Sequence, residues 1–168
     1  MKLYLDMDGV IADFFGALEK EFQVDHWKDL DDPVLAIKGL KNTDWFNTLE
    51  LFPTSKQLVT ACRRIAYRDY GICSSPIIDD EMNTGFWKRT WLTRHKLLPE
   101  VPNFIITHEK WKFANERISG EPNILVDDKP DNIKRWIDAG GIGFLYQANK
   151  DSVEELISDL EYTFKFTS

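Results

Sequence analysis

The stretch Leu3-Tyr4-Leu5-Asp6-Met7-Asp8-Gly9-Val10 decides how the chain is read: a short apolar run, two acids two positions apart, then glycine. The apolar run predicts a buried strand. Alternate side chains share one face of a strand, so Asp6 and Asp8 are expected to project into one crevice. Gly9 lets the backbone turn sharply straight after them. Two carboxylates that close repel, so one must hold a proton or a cation must lie between them. A Mg2+ ion held by carboxylate and carbonyl oxygens, with room for a substrate phosphate, meets that demand. The plainer alternative is a pair of turn aspartates capping the next helix.

Outward from this stretch, strand and helix alternate. Ile11 to about Gln23 carries Phe14, Phe15, Leu18 and Phe22 at helical spacing. Val24 to Pro53 is polar and broken, yet carries Trp27, Trp45, Phe46, Leu49 and Phe52, too many large apolar groups for a linker. It is expected to be a small, mostly helical insertion. Thr54 or Ser55 is placed to cap a helix running to about Arg68. Tyr70 to Cys73 predicts a second strand, and Asp79 or Asp80 starts a helix toward Leu97. Asn103 to Ile106 and Asn123 to Val126 predict further strands. A helix through Ile133, Trp136 and Ile137 closes at Gly140-Gly141. A fifth strand over Ile142 to Tyr146 and a helix from Ser152 to about Tyr162 complete the order, with Thr163 to Ser168 unassigned.

Alternating elements with continuous apolar strands predict an α/β fold, a parallel sheet covered on both faces. The length of 168 residues fits one core, residues 1–23 and 54–168, with residues 24–53 inserted. Hydrophobic content of 43% and charged content of 29% are those of a globular chain. The net charge of −7 argues against general nucleic-acid binding, which needs excess Lys and Arg. A small phosphorylated substrate needs only local positive charge. Cys62 and Cys73 are expected to be inert buried thiols. The start enters a strand directly, leaving no space for a signal or transit peptide, and no apolar run is long enough to span a membrane. A cytoplasmic location fits, and a homodimer is one assembly the sequence allows.

The polar groups that follow each strand carry the functional argument. They are Asp6 and Asp8, then Ser74-Ser75, then Lys110, then Asp127-Asp128. In an open α/β sheet, ligands bind beyond the carboxyl ends of the strands. Each group has a bland alternative: turn-forming serines, a solvated lysine, a helix-capping acid pair. Four strands delivering two acid pairs, hydroxyls and an ammonium to one edge point instead to a site.

Asp6-Met7-Asp8-Gly9-Val10, Ser74, Lys110 and Asp127-Asp128 resemble the four motifs of the haloacid dehalogenase superfamily of phosphotransferases. Asp6 to Phe14, Ile72-Cys73-Ser74-Ser75-Pro76 and Ile124 to Pro130 look, more narrowly, like the 5'(3')-deoxyribonucleotidases. The resemblance implies a three-layer, Rossmann-like (HAD-like) fold with a small helical cap inserted after the first strand. It implies that Asp6 is the nucleophile and Asp8 the acid/base. Asp at position 8, where the related ion-pumping ATPases carry Thr, implies rapid hydrolysis and hence a phosphatase. Ser74 and Ser75 are implied to bind phosphoryl oxygens, and Lys110 to neutralise charge between Asp6 and the phosphate. Mg2+ is implied to take an oxygen of Asp6, the carbonyl of Asp8 and a carboxylate of the Asp127-Asp128 pair, with Asp128 favoured as direct ligand. Phe14, Trp45 and Phe46 fall where the nucleotidases place aromatics near the base, and stacking there is worth about 1–3 kcal/mol per base. Trp27, Trp87, Trp91, Trp111 and Trp136 are expected to pack the core or the helices. His108 stands where close relatives carry Arg, Ser74 replaces their usual Thr, and the cap is shorter.

The expected activity is a Mg2+-dependent phosphomonoesterase acting on (deoxy)nucleoside monophosphates. A sugar phosphate or other small metabolite is the alternative substrate. A degenerate, merely metal-binding relative is the non-enzyme alternative. A receiver-like signalling domain uses similar groups, but its phosphorylated Asp ends the third strand, which here runs into Thr107-His108.

Overall fold

The computed structural model describes residues 1–167. Its elements are β1 (Leu3–Leu5), α1 (Phe14–Phe22), α2 (Pro33–Lys38), α3 (Trp45–Thr48), α4 (Ser55–Ala66), β2 (Tyr70–Ser74), α5 (Glu81–Arg94), β3 (Phe104–Ile106), β4 (Ile124–Asp127), α6 (Pro130–Asp138), β5 (Ile142–Leu145) and α7 (Val153–Thr167). The five strands form one all-parallel sheet in the order β3-β2-β1-β4-β5, flanked by helices. The α/β, Rossmann-like expectation holds. The order reverses between β1 and β4, and such a switch point is where an open α/β sheet leaves a crevice.

Period-two alternation divides the core. Leu3 and Leu5 of β1, Ile72 of β2, and Ile124 and Val126 of β4 join one apolar cluster with Leu58 and Cys62 of α4 and Leu156 and Leu160 of α7. Tyr4, Cys73 and Leu125 point to the other face, onto Ile133 and Trp136 of α6. Tyr4 meets Trp136 edge-to-face at 6.1 Å. Trp91 and Trp136 are fully buried, as expected of core tryptophans, while Trp27, Trp87 and Trp111 are half-buried.

Several boundaries differ from the expectation for local reasons. The first helix begins at Phe14 rather than Ile11, because the Met7 carbonyl accepts from the amides of Val10, Ile11 and Ala12 in a turn. Asp13 then caps the helix, its carboxylate accepting from the Gly16 amide at 3.0 Å. Neither Thr54 nor Ser55 caps α4 through its side chain; the Ser55 hydroxyl donates to the Ile11 carbonyl at 2.7 Å. The helix after β2 covers Glu81–Arg94 and stops short of Leu97, with Lys96 left-handed at φ 62°. α6 ends at Asp138, and Gly140, two residues on, has a φ of 94° that suits glycine. Residues Thr163 to Thr167 continue α7, and Ser168 lies outside the described residues.

Burial varies across the sheet and along the helices. The edge strands β3 and β5 are only half-buried, because each has a partner on one side. Phe22 of α1, Phe86 of α5 and Ile137 of α6 are exposed. The stretch between α1 and α4 holds α2, α3 and a 3-10 turn at Trp27–Asp29, so its helical character is present. Among the described residues, no helix is long and apolar enough to cross a membrane.

Candidate active site

The register of β1 on β4 builds the site. Leu5 pairs with Val126, and the Asp6 amide continues the ladder onto the Val126 carbonyl at 2.8 Å. Asp6 and Asp127 therefore stand side by side at the carboxyl ends, with the parity of Tyr4 and Leu125. Lys110, fixed in a 3-10 turn after β3, lies between them. Its ammonium is 3.0 Å from Asp6 Oδ2 and 2.6 Å from Asp127 Oδ2, and all three side chains are buried. A solvated lysine is thereby excluded.

Asp8 reaches the same edge differently from the strand alternation expected of it. β1 ends at Leu5, and Asp8 sits in the turn closed by Met7. Its carboxylate takes a separate cation, the Lys88 ammonium, at 2.8 Å. That ammonium also donates to the Ser74 hydroxyl and the Ser75 carbonyl, each at 2.8 Å. Lys88 was not singled out in the sequence. Its signal is its place within the inward stripe Thr84, Lys88, Trp91 and Leu92 of α5, where a lysine needs a buried partner. The Lys110 and Lys88 ammoniums, one on each acid, offset the repulsion between Asp6 and Asp8.

The electrostatics follow from these contacts. Burial alone would raise the Asp6 carboxyl, but Lys110 and Lys88, helped by the Ser74 hydroxyl, hold it below the usual carboxylate range. Asp8 is pushed up, by burial first and by the charge of Asp6, with Lys88 pulling the other way. Burial disfavours the Lys110 ammonium, yet Asp6 and Asp127 outweigh it and keep the group charged. Asp128 is raised to about 8 by burial and by the charges of Asp6, Asp127 and Asp8.

Asp127 and Asp128 differ in their partners. Asp127 accepts from Lys110, from the Lys129 amide at 2.9 Å, and from the Asn132 amide group at 3.1 and 3.0 Å. The Asp128 carboxylate accepts no hydrogen bond among the described residues and lies against Gly9. Gly9 has φ 78°, and a Cβ there would collide with the Asp128 carboxylate, so any other residue would strain the backbone and displace Asp128. Oxygens of Asp6, Asp127 and Asp128 lie within 4.8 Å of one another. An all-oxygen donor set with one free carboxylate fits a hard divalent cation such as Mg2+. The Asp8 carboxylate is not part of this set, which leaves its backbone carbonyl as the atom it could offer.

The remaining candidates lie around this centre. Phe14 and Phe46 stack at 5.8 Å, Trp45 meets Phe14 edge-on at 6.4 Å, and all three rings are buried. Phe46 reaches the centre, its ring 4.6 Å from the Lys88 ammonium. Ser75 is half-buried and turns its carbonyl to Lys88. His108 is exposed on the rim, 4.0 Å from Glu81. Cys62 and Cys73 are buried, with thiols pushed up to about 12 by burial, as befits inert packing groups.

No protein-family model matches the chain. Among curated proteins, it is 24% identical to the mitochondrial 5'(3')-deoxyribonucleotidase of Mus musculus. The match covers 78% of this chain and 66% of that protein. The similarity is distant. It covers just under two thirds of the mouse protein's length and joins the chain to a nucleotidase.

Proposed function

We propose that the chain is a Mg2+-dependent phosphomonoesterase that removes phosphate from (deoxy)nucleoside monophosphates through an aspartyl-phosphate at Asp6. The observation that carries this reading is Asp6 itself: a buried carboxylate at the switch point, kept ionised by Lys110 at 3.0 Å. The distant similarity to a deoxyribonucleotidase supports the substrate class. A cytoplasmic enzyme acting on a small anion, with no nucleic-acid partner, is consistent with the negative net charge.

In the first step an Asp6 oxygen attacks the phosphorus, the ester P–O bond breaks, and Asp8 gives its proton to the leaving oxygen. In the second step water attacks the phosphorus, Asp8 takes a proton from it, and the Asp6–phosphorus bond breaks to release phosphate. The raised carboxyl of Asp8 suits a group that must begin protonated. Lys110 offsets charge on the equatorial oxygens, and Ser74 and Ser75 orient them. Asp6, Asp128 and the Asp8 carbonyl would hold Mg2+, which when bound supplies further charge neutralisation at the phosphoryl group. Residues 24–53 form the cap in this reading and carry Trp45 and Phe46, which pack against Phe14 of the core.

One observation favours a second substrate class. Phe14, Trp45 and Phe46 bury themselves largely against one another, leaving little ring face for a nucleobase, which suits a sugar phosphate or another small ester. Phosphate release from a panel of dNMPs, NMPs and sugar phosphates, with Asp6→Asn as the blank, decides between them. Nucleotide preference and a dead Asp6→Asn are expected. Equal or better turnover of sugar phosphates moves the reading to the second class, and an active Asp6→Asn removes Asp6 as nucleophile.

A further inference from the structure

We propose that Asn132 is a positioning residue that commits Asp127 to Lys110 and so fixes the Lys110 ammonium against Asp6. The inference rests on the phosphomonoesterase reading and deepens it. Asp127 has two competing tasks. Its oxygens lie within the three-carboxylate cluster, where they could turn to a cation, and one of them also pairs with Lys110 at 2.6 Å. Among the described residues, Asp6 and Asp127 are the two carboxylates that hold the Lys110 ammonium, at 3.0 and 2.6 Å. The task Asp127 performs therefore decides where the ammonium sits.

Asn132 decides between the two. Pro130 starts α6 directly after the acid pair, and the Asn132 backbone amide donates to the Lys129 carbonyl at 3.0 Å. That first turn returns the Asn132 side chain over Asp127. Its single amide nitrogen bridges both carboxylate oxygens, at 3.1 and 3.0 Å. A donor on both oxygens resists rotation of the carboxylate about its own axis, while the Lys129 amide at 2.9 Å and Lys110 hold one oxygen each. Asp127 is fully buried under this arrangement and Asp128 is not. The acid pair is thus divided, Asp127 backing the lysine and Asp128 left free for a ligand. Partners that orient such groups are worth about 10- to 100-fold in activity.

The test compares Asn132→Leu, close in size without a donor, with Asn132→Gln, which keeps the amide. Two readouts are taken: kcat and KM on a turned-over phosphomonoester at saturating Mg2+, and the Lys110 ammonium 1H–15N signal in resting protein without metal or substrate. Lys110→Met assigns the signal. Asn132→Leu is expected to lower kcat by about 10- to 100-fold with KM unchanged, and to broaden the ammonium signal through faster exchange. Asn132→Gln recovers much of both. An unchanged kcat with an unchanged signal overturns the proposal, as does a loss confined to KM, which would mean that Asn132 touches substrate. Should Asn132→Leu not fold, Asn132→Ser makes the same comparison. If the wild-type protein hydrolyses no phosphomonoester, the functional reading fails, and the ammonium signal still decides the clamp on its own.

Discussion

The Lys88 ammonium lies 2.8 Å from the Asp8 carboxylate, with the Ser74 hydroxyl and the Ser75 carbonyl as its other acceptors. Lys88 thus does for Asp8 what Lys110 does for Asp6, and each acid of the opening motif owns a lysine. The two pairs differ in accessibility. Asp6 is buried, while the Asp8 side chain keeps 21% of its exposure, although its unpaired Oδ1 is itself buried. The proton transfer proposed for Asp8 needs that access, and the nucleophilic role proposed for Asp6, held by fixed donors, does not.

Lys88→Met removes this partner at similar length. Lys88 lowers the Asp8 carboxyl against the upward push of burial, so its loss raises the Asp8 pKa further. The limb of the kcat/KM profile governed by Asp8 should move to higher pH, and kcat/KM should fall by about 10²- to 10⁴-fold. Circular dichroism should show a retained fold. An unmoved limb would separate Lys88 from the acid/base step.

Gly9→Ala adds a Cβ at φ 78° and drives it into the Asp128 carboxylate. Gly120 is the matched control, since it has φ 73° and no atom within 4 Å of a built Cβ. Both substitutions should cost about 1–3 kcal/mol for the left-handed backbone. Only Gly9→Ala should also weaken Mg2+ binding by calorimetry, because only there must Asp128 move. Equal effects of the two on Mg2+ affinity would contradict the contact.

How far this site was legible follows from those residues. Asp6 and Asp127 were visible because a buried strand alternates faces with period two, and an acid at its carboxyl end has one direction to take. Ser74 was visible as the polar residue that ends an apolar run, and Lys110 as the ammonium in the polar segment Thr107-His108-Glu109-Lys110 after the third strand. Lys88 was hidden because it lies on a helix far along the chain, where a single lysine in a mixed pattern resembles a solvated face. Asp8 was placed on the right edge for the wrong reason, since its position comes from the turn around Met7. The division between Asp127 and Asp128 depends on Asn132 and on Gly9, neither of which announces a partner in sequence. Ile11 shows the limit of helical spacing, which marks a face but not where a helix begins.

Asp80 ties the inserted stretch to α5. Its Oδ1 accepts from the Asn42 amide at 3.2 Å, and its Oδ2 accepts from Asn83 and Thr84, each at 3.1 Å. Asn83 in turn donates to the Thr43 carbonyl at 3.0 Å. Asp80→Ala leaves these buried groups short of partners, at a cost of about 1–3 kcal/mol. Limited proteolysis should show faster cleavage between Gln23 and Asp44, and KM should rise more than kcat falls. Cleavage as slow as in the wild-type protein would mean that the stretch is held by α3 alone.

Asp128 gives the stability of the metal-free protein a pH dependence with a defined sign. Its carboxyl is raised from 3.8 to about 8, first by burial and then by Asp6, Asp127 and Asp8. Between those pH values the folded chain holds a proton there that the unfolded chain has lost. Stability therefore falls as pH rises through this window, and the group contributes nothing to the slope below it. In EDTA, Tm should decline from about pH 5 to about pH 8, and Asp128→Asn should flatten that decline and raise Tm at the alkaline end. A bound divalent cation takes over the neutralising task of the proton, so Mg2+ should raise Tm more near pH 8 than near pH 5. A parallel decline in Asp128→Asn would place the responsible proton on Asp8 or Asp127, whose carboxyls are also raised. The Asp8→Asn profile then tells those two apart, because Lys88 faces Asp8 alone of the pair while Lys110 and Asn132 face Asp127.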